Sequence, residues 1–132
     1  MSDPTYGLTR HLPGTSYEDA IAGVTEALAT EGFGILTEID VKETLKKKLD
    51  VDFRRYLILG ACNPTLAHRA LLAEPLIGLL LPCNVVVAER EEGGSTVSIA
   101  NPRELFKLVD NPEIASVAVE VESKLRRVLE AI

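Results

Sequence analysis

Cys62 and Cys83 are the only two thiols in a chain of 132 residues. Each stands where a turn meets a regular element, in the runs Leu59-Gly60-Ala61-Cys62-Asn63-Pro64 and Leu80-Leu81-Pro82-Cys83-Asn84-Val85, so the Cys-Asn pair is written twice. Two such thiols have three possible roles: a redox dithiol, a soft-metal or sulfur-transfer site, or a pair of small buried hydrophobes. If residues 56–61 and 84–89 are antiparallel neighbours, the end of the first and the start of the second share one edge of a sheet, and the thiols sit together. Cys62 also precedes a helix start, where unpaired N–H groups favour thiolate over thiol.

His68 follows Cys62 by six positions and is the one residue placed to add a third ligand, but the spacing matches no standard zinc motif. The expectation is therefore a partly exposed helix histidine and no metal. His11 stands beside Arg10 with no partner identifiable from the sequence. Tyr56 opens an apolar strand and reads as a core aromatic. Glu89, Glu91 and Glu92 read as solvated carboxylates around a hairpin turn. The chain contains no Gly-rich phosphate loop, no Gly-x-Ser-x-Gly elbow and no His-Glu-x-x-His pair, so the cofactor and the reaction, if there is one, stay open.

A net charge of −6 opposes a phosphate backbone, whose binding needs clustered cations, so nucleic acid is not an expected partner. The local exception is Lys42, Lys46, Lys47, Lys48, Arg54 and Arg55, which read either as a solvated helix face or as a patch for an acidic protein partner or a phosphate-bearing ligand. The start, Met1-Ser2-Asp3-Pro4, has no basic segment and no apolar stretch of the secretory kind. The longest apolar run, residues 76–81, is far below the roughly 20 residues that cross a bilayer. These features predict a cytoplasmic chain without a membrane span, with thiols that are free, catalytic or metal-binding rather than bridged. The same apolar run predicts a homodimer, because exposed apolar patches mark association sites.

The elements that position these residues follow from periodicity. Hydrophobic residues make up 46% of the chain and charged residues 26%, with no Trp, so one core of Val, Leu, Ile and Ala is expected in a single domain over residues 1–132. Residues 6–12 read as a strand ending at Pro13-Gly14. Thr15-Ser16-Tyr17-Glu18 fits a capping box for a helix that closes at Gly32, the residue suited to a left-handed C′ position. Phe33, Ile35, Thr37 and Ile39 give one apolar face of a strand, and Asp40 caps a short helix with Val41, Leu45 and Leu49 on a narrow stripe. Residues 56–61 are apolar throughout, as in a strand buried on both faces. Asn63-Pro64, Asn101-Pro102 and Asn111-Pro112 each open a helix, with Asn as cap and Pro at the first helical position. Residues 85–89 and 96–99 flank Glu91-Glu92-Gly93-Gly94 and form a hairpin. One antiparallel sheet with helices on one face makes an α+β fold.

The run 56–67, the run 77–87, Gly32-Phe33-Gly34 and Glu38-Ile39-Asp40 together resemble the domain-of-unknown-function family numbered 302 over nearly the whole chain. The resemblance implies a β-α-β-β-β-β-α sandwich of TATA-binding-protein-like topology, assembled as a dimer, with no established activity. Kinship of fold with a DNA-binding protein does not carry DNA binding with it. Two readings stand: a small-ligand, metal or thiol-chemistry module built on Cys62 and Cys83, or a dimeric interaction domain with both cysteines packed inside.

Overall fold

Gly32 shows how closely local chemistry sets the frame. In the computed structural model, which describes residues 3–132, helix α1 (Tyr17–Thr30) ends in a Schellman motif at this residue. Gly32 has a φ of +84° and donates to the Ala29 carbonyl at 3.1 Å, while Phe33 N–H reaches back to the Leu28 carbonyl at 3.0 Å. Leu28 and Phe33 are both buried, so the motif turns the chain and seals its own apolar contact. The start of α1 differs from the expected capping box. Ser16, not Thr15, accepts from the Asp19 N–H at 3.1 Å. Thr15 belongs to the preceding turn, where its N–H donates to the Leu12 carbonyl and its own carbonyl accepts from Ser95.

Five strands form one antiparallel sheet in the order β1 (Gly7–Leu12), β5 (Ser95–Ala100), β4 (Cys83–Glu89), β3 (Tyr56–Cys62), β2 (Gly34–Asp40). Helix α2 (Val41–Leu49) follows β2, α3 (Pro64–Ala73) follows β3, and a 3-10 turn over Pro75–Leu80 leads into β4. After β5 come the short α4 (Pro102–Leu105), a second 3-10 turn (Phe106–Leu108) and the long α5 (Pro112–Glu130). All three Asn-Pro pairs cap as expected: Asn63, Asn101 and Asn111 accept from Leu66, Arg103 and Glu113 N–H groups, with Pro opening each helix. Met1 and Ser2, on which the reading of the chain start partly rests, lie outside the described residues.

Strand alternation sorts the sheet into two unlike faces. Leu57, Leu59 and Ala61 of β3, Val85 and Val87 of β4, and Val97 and Ile99 of β5 are buried and form one core with α1, α3 and α5. The opposite face carries Tyr56, Ile58, Val86, Ala88, Thr96 and Ser98, all half-buried. Strand β3 is therefore fully buried on one face and, apart from Gly60 under Thr37 and Pro82, half-buried on the other, although its sequence is apolar throughout. Tyr56 is on the half-open face, edge to face with exposed Phe53 at 6.1 Å between ring centres, and is not a core aromatic. In β2 a bulge at Leu36 inserts one residue between the Ile35–Ala61 and Thr37–Gly60 register pairs, which reverses the parity of the rest of the strand. Ile39 then faces outward beside Ile58 and is exposed, so the single apolar face expected for this strand is split in two.

Candidate functional site

Cys62 is held by the junction of three elements. It is the last residue of β3, opposite Gly34 of β2, and is followed at once by the α3 cap. Asn63 works in two directions: its Oδ1 accepts from the Leu66 N–H at 3.2 Å and its Nδ2 donates to the Glu31 carbonyl at 3.2 Å, at the end of α1. A short polar side chain here binds the start of one helix to the end of another, and the residue before it inherits a fixed position. Cys62 is half-buried.

Cys83 opens β4 and is 9% exposed. Its register partner is Ala61, so Cys62 lies one step further along the neighbouring strand. Strand spacing and rise put the two Cα atoms about 6 Å apart. Because alternate residues of a strand face opposite ways, Cys83 points with Ala61 into the helix-covered side while Cys62 begins on the other parity. That disposition opposes a disulfide, which needs converging Cβ vectors, and both cysteines are free. Burial pushes the Cys83 thiol up to about 11, and a charge on neighbouring Cys62 would add to the shift. Cys83 is thus held as neutral thiol near neutral pH.

Both residues border one apolar cleft of about 30 Å³ between β3, α3 and α5, walled also by Phe33, Leu66, Phe106 and Val117. This is about the space of a single water molecule or methyl group. In the sequence Phe33 and Phe106 stand out only as apolar members of their elements. The signal that finds them is the turn chemistry beside each, Gly32 and Asn101-Pro102, which swings both rings toward the strand ends.

The remaining candidates separate from this cleft. His68 is exposed on α3, and among the described residues no group of three or more His, Cys, Asp and Glu side chains gathers to hold a metal ion. His11 does have partners: its Nε2 lies 3.0 Å from Asp3 Oδ1 and its Nδ1 3.0 Å from Thr96 Oγ1, an arrangement that a β1–β5 pairing creates and sequence distance hides. In the basic stretch, Lys46 pairs with Asp50 and Asp52, Lys47 with Glu43, and Arg55 with Glu18 and Glu89, while Lys42 donates to the Phe53 carbonyl. Much of its charge is answered within the chain, and α2 buries no residue, which fits a solvated helix face. Among the described residues no helix is long and apolar enough to cross a membrane.

The family described as Domain of unknown function DUF302 matches residues 8–132. Among solved structures, the chain is similar to the crystal structure of an uncharacterized conserved protein DUF302 from Bacillus stearothermophilus, with 30% identity, a TM-score of 0.88, and coverage of 97% of this chain and 98% of that one. No curated protein matches.

Proposed function

The chain belongs to the DUF302 family of domains of unknown function, and from that premise we propose that it is a binding module for a small thiol-reactive ligand, with Cys62 as the reacting group and Cys83 as an inert wall. The observation that carries this reading is that a half-buried cysteine and a buried one border a single apolar cleft. The two have different duties. An accessible thiol at a helix start is suited to nucleophilic attack, whereas a thiol held neutral by burial contributes shape and polarisability. A metal-centred version has less support, since the nearest histidine is exposed on α3 and outside the cleft.

The test is labelling of the folded chain with a maleimide, followed by peptide mass spectrometry. Cys62 should react and Cys83 should not until denaturant is added; Cys62→Ser should abolish the native reaction. If neither thiol reacts before unfolding, the thiol reading fails.

A second reading is favoured by a different observation. Leu72 of α3 and Leu76 and Leu79 of the 3-10 turn packed beside it are 73–83% exposed, which supports a homodimer closing over these leucines. Ile77, from the same run, is buried within the chain, so only Leu76 and Leu79, three residues apart, are offered to a partner. Sedimentation at micromolar protein checks it: a dimer that Leu76→Glu with Leu79→Glu converts to monomer is expected, and a monomer throughout rejects it. The order of strands and long helices supports the TATA-binding-protein-like topology, free thiols support a reducing cytoplasm, and the internally paired basic residues support the absence of duplex DNA binding.

A further inference from the structure

Behind Cys83 lies a second and larger cavity, of about 220 Å³, which the thiol chemistry of Cys62 does not use. It shares Leu81, Pro82, Cys83 and Phe106 with the small cleft and is otherwise lined by the first 3-10 turn, the ends of β4 and β5, and α4. Its walls include Leu79, Leu80, Ala100, Pro102 and Leu105, and its polar lining residues are Cys83, whose thiol is neutral, and exposed Asn84 at the rim. Among the described residues no charged side chain lines it. The nearby cations are already engaged, Arg103 with Glu122 and Lys107 with Glu104.

We propose that this cavity is a binding site for a small neutral molecule with an apolar body and one hydrogen-bonding end, of the size of a substituted arene. Volume bounds the body: a closed apolar cavity of about 150 Å³ takes up benzene, and this cavity, open to solvent at exposed Leu79 and Asn84, has room for a molecule of that size. Lining decides the charge: a carboxylate or phosphate entering here would lose part of its hydration against apolar walls with no lining cation to replace it. Asn84 decides the end, because its amide can both donate and accept at the one polar position. The walls come from five separate elements of one fold, so the site is largely formed before a ligand arrives, as small-molecule pockets are. Cys62 does not line this cavity, so the site stands whether or not Cys62 is reactive.

The experiment is a titration of the full chain with indole and, separately, toluene, followed by amide chemical shifts. Indole should give saturable shifts centred on residues 79–84 and 100–106, with a Kd on the order of 1 mM or below, the range open to a ligand of this size. Ala100→Leu should weaken both ligands by at least about tenfold by filling the space, its dispersed spectrum reporting that the fold is intact. Asn84→Ala, at an exposed position, should weaken indole about three- to tenfold and leave toluene unchanged. Cys62→Ser should bind both as the native chain does, which separates failure here from failure of the thiol reading. Absence of saturable shifts up to the solubility limit of indole, shifts confined to Leu72 and Leu76, or unchanged indole affinity in Asn84→Ala would overturn the proposal.

Discussion

Cys62-Asn63 and Cys83-Asn84 are the same dipeptide about one strand apart, and they do opposite things. At the first, Cys62 is half-buried and Asn63 is immobilised as a helix cap tied to Glu31. At the second, Cys83 is buried and neutral while Asn84 is exposed in a strand. The difference is parity. Cys62 ends its strand one residue past Ala61, the position facing the core, whereas Cys83 begins its strand opposite Ala61 and faces the core itself. One step along a pleated chain exchanges the face toward which the cysteine points.

The comparison is broken most directly by pH. Cys83 titrates at about 11 in the folded chain and near the ordinary thiol value of about 8.5 when unfolded. Between those values the unfolded state holds fewer protons, so stability is fully present below the lower value and falls as pH rises through the upper one. The expected loss is about 3 kcal/mol. Urea melts of the native chain and of Cys83→Ala across pH 8–11 check it. The variant should lose correspondingly less over that range, and parallel curves would mean that Cys83 is not desolvated. The same shift leaves about one Cys83 in a thousand as thiolate at pH 8.

Substitution to serine gives the next effect. Cys83→Ser should cost about 1–3 kcal/mol, because a buried hydroxyl finds no partner in an apolar wall, while Cys62→Ser should cost less than about 1 kcal/mol. Equal costs in equilibrium unfolding would erase the distinction between the two thiols. The asparagines should show the reverse order. Asn63→Ala should destabilise by about 1–2 kcal/mol through loss of the α3 cap, and Asn84→Ala should stay within about 0.5 kcal/mol, as exposed positions do. A thermal scan showing the two asparagine variants to be alike would remove Asn63 from its role in fixing Cys62. Between the two sites, Gly60→Ala should cost about 1–3 kcal/mol, because an added Cβ would press on the Thr37 side chain and the rigid ring of Pro82; an unchanged melting temperature would show that the β3–β4 junction yields more readily than its packing indicates.

Much of this architecture is written in local chemistry. Gly32, the three Asn-Pro pairs and the Gly93-Gly94 turn act over a few residues, through backbone conformation and capping, so their effects are legible without knowing what lies nearby. The α+β class and membership of the family follow from the same signals, as does the association of Cys62 and Cys83 with the ends of neighbouring strands. What tertiary structure alone decided is parity and partnership. An apolar run such as residues 56–61 contains no information on which of its faces is covered. The bulge at Leu36 moved Ile39 to the outer face, and the β1–β5 pairing gave His11 its Thr96 neighbour. Burial of a thiol is likewise a property of what packs against it: Phe106 and Val117, from elements more than twenty residues away in sequence, help to enclose the cleft beside Cys83, and desolvation by such neighbours is what separates two cysteines that the sequence writes alike.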